Sequence, residues 1–347
     1  MEQLRGRPPK NENEAREKMT KQIKLEDVAA KAGVSKATVS RVINRRGYLS
    51  QKTIMKVEEA MSALNYHPNV IAQQMHTQRT KQIGIIVPTV GTPFFGELAA
   101  ELERRLFNKG YKVIIGGAEN DPVKERKYLQ QLLGRQVDGL IIATHNANIA
   151  EYQHANLPIV AIDRYLRDDI PVVYSDNYAG ARLACQALLD RGATRVAYTD
   201  NLNPLNAQDE GRLRAYRAAM QAAGMPELIY PSLPDPDAKR ARFTQLFADH
   251  PEVDAVFASN DLDAALLLDL ATQRGLRVPE DLQIIGYDGT ATTQALLPGL
   301  ATVVQPLAAM AERTVALLED KINRKPTPAK VVLPVTLKAG RTLRALA

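Results

Sequence analysis

From Ile83 onward the chain alternates between short, continuously apolar runs and longer amphipathic stretches, and this constrains its fold more than any other feature. IGIIVP (83–88), YKVIIGGA (111–118), VDGLIIA (137–143) and PIVAIDR (158–164) read as strands. FGELAAELERRLFNKG (95–110), closed by Gly110, KERKYLQQLLGRQ (124–136) and YAGARLACQALLDRG (178–192) read as helices between and after them. TRVAYTD (194–200), GRLRAYRAAMQAAG (211–224), VDAVFAS (253–259), DLDAALLLDLATQRG (261–275) and LQIIGYD (282–288) continue the alternation. Strands without a polar face, joined by helices through short connections, imply parallel sheets covered on both sides. Roughly 260 residues suit two doubly wound α/β lobes joined by crossing strands.

The first quarter of the chain has a different pattern. IKLEDVAAKAGVSKATVSRVIN (23–44) reads as a complete helix-turn-helix. Leu25, Val28, Ala29 and Ala32 give the first helix one apolar face, and Glu26 and Asp27 in its first turn complement the helix dipole. Gly33 stands where a helix ends in a left-handed residue, and Ser35 is placed to cap the next helix. That second helix, Lys36 to Asn44, buries Val39, Val42 and Ile43 and turns Lys36, Ala37, Ser40, Arg41 and Asn44 outward, as major-groove entry requires. Ser50 to Leu64 supplies a third helix with Ile54, Val57, Met61 and Leu64 on one face. NYHPNVIAQQMHTQRTK (65–81) is too short and too poor in apolar residues for a stable isolated helix, so it orders only against a partner chain or DNA.

Charge falls in the same place. Residues 1–80 carry 15 Lys+Arg against 8 Asp+Glu, and the remaining residues carry 30 against 31. A basic head on a near-neutral body implies phosphate binding by the head alone. Residues 1–22 are polar and charged and read as a disordered basic tail, in which Arg5-Gly6-Arg7-Pro8 has the form of a short minor-groove hook. Met19 offers a second start position. The single cysteine, Cys185, excludes an internal disulfide and reads as a small core residue. The beginning of the chain has no apolar signal region, and no run of 18 apolar residues occurs, so a cytoplasmic protein without a membrane partner is expected. G-x-G-x-x-G and G-x-x-x-x-G-K-[ST] are missing, and His67, His76, His145, His154 and His250 lack metal-ligand spacing. No enzyme, metal site or cofactor is expected.

LEDVAAKAGVSKATVSRVIN, LNYHPNVIAQQ, TPFF, AIDR, GRLRAY, SND and IIGYDGT together resemble the LacI/GalR family of bacterial repressors, in its order and spacing. The resemblance spans residues 23–344. It implies a small all-α helix-turn-helix domain at 23–65, a hinge helix at 66–80 and a two-lobed, periplasmic-binding-protein-like body at 81–347. The lobes are expected at about 81–175 with 302–330, and about 176–301 with 331–347. It implies that Lys36 and Ala37 read bases, and that Thr38, Ser40, Arg41 and Asn44 contact phosphates or base edges. A lysine donates to guanine, whereas an alanine methyl meets only apolar base surface. Met75 stands where the family places a leucine wedge in the minor groove, Ala72 permits close approach of two hinge helices, and Val70 replaces a frequent arginine.

For the body, the resemblance implies an effector between the lobes, touched by Phe94, Phe95, His145, Asp163, Arg164, Arg212, Asn260 and Asp288. Thr92, Pro93, Thr144, Asn146, Asn177 and Asp261 match neighbouring positions. Carboxylates, amides and a forked guanidinium beside aromatic rings suit a polyol. Plainer roles are open to the same residues: Asp288 can cap its turn, Asp163 can pair with Arg164, and both phenylalanines can be core. The THN run (144–146) and AENDPVKERKYL are similar to sucrose- or fructose-responsive repressors. The implied protein is a homodimeric repressor of a carbohydrate operon, bound to palindromic operator DNA and controlled by a sugar. The other design open to the family is a corepressor type answering to a purine-like ligand or a phosphocarrier protein. The end, TLRALA, carries no heptad tail for tetramerisation.

Overall fold

The computed structural model describes residues 23–44, 46–68, 79–119, 121–134, 136–144, 146, 149–153, 157–200 and 207–346, of which 207–210 are described for backbone alone. The chain divides into two units, Met1–Arg79 and Thr80–Ala347. The expected disordered tail and most of the expected hinge helix, including Val70, Ala72 and Met75, lie outside the described residues.

The first unit holds α1 (Leu25–Ala32), α2 (Lys36–Ile43) and α3 (Gln51–Ala63). Gly33 takes φ +66° and ψ +34°, the left-handed cap that its lack of a Cβ permits, and its N–H returns to the carbonyls of Ala29 and Ala30. Ser35 accepts from the Thr38 amide at 3.1 Å, and Ser50 caps α3 in the same way at 3.2 Å. The three helices close on Val28, Ala29, Ala32, Val39, Val57 and Ala60, with Val42, Ile43, Met61 and Leu64 packed against them. So small a core has little reserve. Val57→Ala is expected to lower the stability of this unit by about 1–3 kcal/mol. Thermal melting followed by circular dichroism would show a separate, earlier transition, and a wild-type melting curve would contradict the assignment.

The second unit contains two six-stranded sheets. The first is ordered β11-β5-β4-β3-β1-β2 from β1 (Gln82–Val87), β2 (Lys112–Gly117), β3 (Gly139–Ile142), β4 (Ile159–Ile162), β5 (Val172–Ser175) and β11 (Lys330–Leu333). The second is ordered β12-β10-β9-β8-β6-β7 from β6 (Val196–Asp200), β7 (Leu228–Pro231), β8 (Ala255–Phe257), β9 (Gln283–Asp288), β10 (Ala301–Val304) and β12 (Thr336–Lys338). Every pairing is parallel except β10 with β12.

Alternation along β1 shows why the apolar runs lack a polar face. Ile83, Ile85 and Val87 enter a core with α4 (Pro93–Asn108) and α11 (Leu307–Ile322). Ile86 faces α5 (Pro122–Leu133) on the other side of the sheet. Gly84 leaves room there for the leucines, since a Cβ would meet Leu140 Cδ2 at 2.6 Å and Leu132 Cδ1 at 2.9 Å and those side chains would have to shift. In the second lobe α6 (Asn177–Leu189) and α7 (Ala207–Ala223) cover one face, and α8 (Pro236–Asp249) and α9 (Asp261–Gln273) the other. Cys185 is fully buried in that core, and burial pushes its thiol up to about 12.

The lobe boundaries expected from sequence require correction. β10 belongs to the second sheet, so the chain returns to the first lobe after Val304, not near residue 302. β11 pairs with β5 in the first sheet, so the last crossing follows Leu333, not residue 330. β11 is an edge strand with Lys330 and Val332 exposed, and such a strand lacks the continuous burial that marks the inner ones. Among the described residues no helix is long and apolar enough to cross a membrane.

Candidate functional site

The outward face of α2 carries the expected DNA-reading residues. Lys36, Ala37 and Arg41 are exposed, while Thr38, Ser40 and Asn44 are half-exposed. Asn44 Nδ2 donates to the Ser40 carbonyl at 2.8 Å, and the Thr38 hydroxyl lies 2.9 Å from Ser35 Oγ, so both side chains are oriented by their own helix. Arg41 reaches back to the carbonyls of Arg46 and Tyr48, both at 3.5 Å. Lys36 Nζ pairs with the carboxylate of Glu26 on α1, and this bond holds Glu26 below its ordinary pKa. Both partners are solvent-exposed, so the pair orients Lys36 without adding much stability. The sequence shows Glu26 only as a first-turn acid, because its partner is ten positions away across the turn.

In the body, the carboxyl ends of the strands in the two lobes carry the polar groups. The first lobe contributes Asp163, at φ +53° immediately after β4. Its charge is felt by Asp288 and Tyr287 of the second lobe. Arg164, next in sequence, turns into its own lobe. Its guanidinium donates to the Thr144 carbonyl at 3.0 Å, to Thr144 Oγ1 at 3.1 Å and to the Asn146 carbonyl, and it faces Glu125 at 3.4 Å. Glu125 is fully buried on α5 and also accepts from Thr144 Oγ1 and Asn146 Nδ2, both at 2.7 Å, and from Tyr152 OH. A buried ion pair is tolerable only when its remaining lone pairs and protons are satisfied, and this network satisfies them. Its structural effect is to pin the segment after β3 to the turn after β4.

The second lobe is built around Arg212. Its Nε donates to Asn177 Oδ1 at 2.6 Å and its NH1 to the Ser259 carbonyl at 2.7 Å. Its guanidinium lies 3.6 Å from the centre of the Tyr287 ring. Burial pushes the Tyr287 hydroxyl upward. Asp288 follows at φ +109° and Gly289 at φ +59°; a Cβ on Gly289 would meet Val304 Cγ2 at 2.7 Å, so this turn needs glycine. Burial is the main cause that raises Asp288 to about 8, with the charges of Asp261 and Asp163 adding to it and Arg212 opposing it. Part of the residue nevertheless stays exposed. Asp261 is raised to about 6 by burial, although it accepts from Thr302 Oγ1 at 2.6 Å and from the Gly289 amide at 2.8 Å.

Among the described residues, Gln305 and Glu97 tie the lobes together. Gln305 donates to Asp288 Oδ1 at 2.8 Å and accepts from Ser175 Oγ at the crossing after β5. Glu97 on α4 accepts from the backbone amides of Ala291 at 3.0 Å and Thr292 at 2.7 Å, at the start of α10 (Ala291–Leu296) in the other lobe. Charge-assisted bonds of this kind contribute about 1.5–3 kcal/mol each. Glu97→Ala is expected to let the lobes separate. Spin labels placed on α4 and α10, with Cys185 buried and silent, should then report a longer and broader distance. An unchanged distribution would show that Glu97 does not hold the lobes.

The structure therefore sorts the expected effector residues. Asp163, Arg212, Asn177 and Asp288 come together. Phe94 is 9 % exposed and packs in the first-lobe core, edge-on to the half-buried Phe95 at 5.1 Å, so Phe94 is corrected from ligand to core. Arg164, expected to touch the effector, is instead turned into its own lobe as the brace described above. Asn260 caps α9 by accepting from the Asp263 amide at 2.8 Å, which is its structural reason for being there. His145 lies outside the described residues. Glu125, Tyr152, Tyr287, Gln305 and Glu97 were not singled out from sequence. Tyr287 sits inside the GYD motif and Glu125 inside the KERKYL run, but neither run shows that Tyr287 packs against Arg212 or that Glu125 is buried against Arg164.

A helix-turn-helix head and a two-lobed body with polar groups converging from both lobes define a class: DNA-binding regulators with a small-molecule receptor. Residues 24–69 match the family described as bacterial regulatory proteins, lacI family, and residues 185–343 match the periplasmic binding protein-like domain. The sucrose operon repressor of Pediococcus pentosaceus is 44% identical over 324 residues, 92% of this chain and 99% of that protein. The ribose operon repressor of Bacillus subtilis is 37% identical, over 92% of this chain and 98% of that protein. The lac repressor dimer bound to operator and an anti-inducer superposes with a TM-score of 0.81 at 27% identity, covering 94% of this chain and all of that one. The chain belongs to the LacI family of bacterial transcriptional regulators.

Proposed function

We propose that this protein is a homodimeric repressor of a carbohydrate-utilisation operon, acting in the cytoplasm, whose operator affinity is set by a sugar held between its lobes. The observation that carries this reading is the group formed by Arg212, Asn177, Asp163 and Asp288, where acceptors and donors from both lobes converge beside the Tyr287 ring. Such a group binds several hydroxyls at once, and it binds them best when the lobes are closed. A sugar that prefers one arrangement of the lobes shifts the population toward it and so couples to DNA affinity. The names of the relatives, sucrose and ribose operon repressors, agree with this reading. Two helix-turn-helix heads on a palindrome supply the affinity that one head lacks.

The test begins with operator fragments selected from random duplexes by the full-length protein, followed by fluorescence anisotropy with sucrose, fructose and ribose. One sugar should change operator affinity at least about tenfold. No change with any sugar, together with a response to a purine or a phosphocarrier protein, would replace the reading. On the selected operator Lys36→Ala should relax selectivity at one base pair, costing about 1–3 kcal/mol there. A uniform loss across all sequences would make Lys36 a phosphate contact.

A further inference from the structure

The second lobe holds a buried charge that does not itself reach the group around Arg212. Asp263, in the first turn of α9, has no exposed surface. Three donors converge on its carboxylate. Lys239 Nζ, on α8, meets Oδ1 at 2.8 Å, and the hydroxyls of Ser259 and Thr199 reach Oδ2 at 3.1 and 3.2 Å. A buried charge is tolerated when it is met in this way.

The arrangement also sets the direction of the bonds around Ser259. A carboxylate only accepts, so both hydroxyls donate to it. The Thr199 oxygen is then left to accept from the Ser259 amide at 2.8 Å, and Ser259 Oγ to accept from Asn260 Nδ2 at 3.3 Å. Asn260 is fixed in turn by the Asp263 amide at 2.8 Å, so the peptide plane between residues 259 and 260 is held at both ends. The carbonyl of that plane accepts from Arg212 NH1 at 2.7 Å, while Asn177 Oδ1 holds Nε from the other side. One of these two anchors of Arg212 therefore depends on a carboxylate that acts on it only through Ser259.

We infer, given the sugar reading above, that Asp263 is a positioning residue for the effector site: it aims the Ser259 carbonyl at Arg212 and so sets the affinity of the cleft for its sugar. A guanidinium already held in place loses less freedom when hydroxyls arrive, and affinity rises accordingly.

Asp263→Asn isolates this role, because it keeps the shape and changes only the bonding. An asparagine has one acceptor oxygen where three donors converge, and its NH2 faces either the Lys239 ammonium or the two hydroxyls. The full-length protein would be titrated calorimetrically with sucrose, fructose and ribose, well below the melting temperature of each variant. Asp263→Asn should weaken the responsive sugar about 10-fold or more and leave operator binding without sugar unchanged. A structural role alone would lower the melting temperature and leave the sugar affinity of the folded protein as it was. NMR of the arginine side-chain N–H groups gives a readout that needs no sugar. The Arg212 Nε–H signal, identified by its loss in Arg212→Lys, should broaden and exchange faster with water in Asp263→Asn. Ser259→Ala, which removes the hydroxyl bond to Asp263 and keeps the carbonyl, should move both readouts the same way, and it serves if Asp263→Asn does not fold. Wild-type sugar affinity in the folded variant, or an unchanged Arg212 signal, overturns the inference and leaves the sugar reading standing. Failure of the wild-type protein to bind any of the three sugars overturns the sugar reading instead, and the effect on affinity with it.

Discussion

Arg212→Ala is expected to abolish the response to sugar and to lower the stability of the body by about 3–5 kcal/mol, the usual cost of removing one partner from a buried charged network. Arg212 is 8 % exposed, so solvent cannot replace what it supplies. Its removal leaves Asn177 Oδ1 and the Ser259 carbonyl without their donor and strips Asp288 of the positive charge that opposes its burial. The Tyr287 ring also loses the guanidinium that lies over it at 3.6 Å, a cation–π contact that strengthens when desolvated. Arg212→Lys separates the two losses. A lysine restores the charge but neither the fork nor the flat stacking surface, so it should recover part of the stability and little of the sugar affinity. Operator binding in the absence of sugar should persist in both variants at temperatures below their melting points. A protein with Arg212→Ala that melts early yet still answers to sugar would make Arg212 a purely structural residue.

Arg212 also shows where sequence reasoning reaches and where it stops. Its place in GRLRAY marked it as a residue to watch, and the fold sets it against Asn177, the Ser259 carbonyl and the Tyr287 ring, at the strand ends that the SND and GYDG runs occupy. The helix-turn-helix was legible to the residue: Gly33, Ser35 and the Val28–Val39–Val57 core fall as the spacing demands. These are local signals, in which each residue's role follows from neighbours three or four positions away. Arg164 failed as an expected ligand because its partner, Glu125, is 39 positions earlier in the chain and meets it only once α5 has packed on the first sheet. The same holds for Glu97, whose two acceptor contacts lie almost 200 residues further on. Lobe assignment of β10 and β11 failed for a related reason: a four-residue strand states that it pairs, and only the folded sheets state with what.

Asp288→Asn is expected to stabilise the folded body and to destroy its response to sugar. A free aspartate titrates near 3.9; in the fold Asp288 is raised to about 8, mainly by burial. Between these values the native state binds a proton that the unfolded chain has released. The stability that this group contributes is therefore complete below about pH 4 and is lost as pH rises toward 8. Asparagine resembles the protonated acid in shape, can still accept from Gln305 Nε2, and never ionises. The variant should match the wild type near pH 4 and exceed it increasingly up to about pH 8, by an amount on the order of a few kcal/mol. Asp261, raised to about 6 by burial, bends both stability curves in the same direction, so the difference between them isolates Asp288. Sugar affinity moves oppositely toward pH 8, where the wild-type carboxyl ionises, because an amide oxygen is a weaker acceptor for a hydroxyl than a carboxylate and the amide nitrogen accepts nothing. Urea unfolding of both proteins across this pH range, with calorimetric titration of the responsive sugar at each end, measures both halves. Parallel stability curves would place the Asp288 carboxyl in a far wetter setting than the folded cleft provides, and retained sugar binding would remove it from the site.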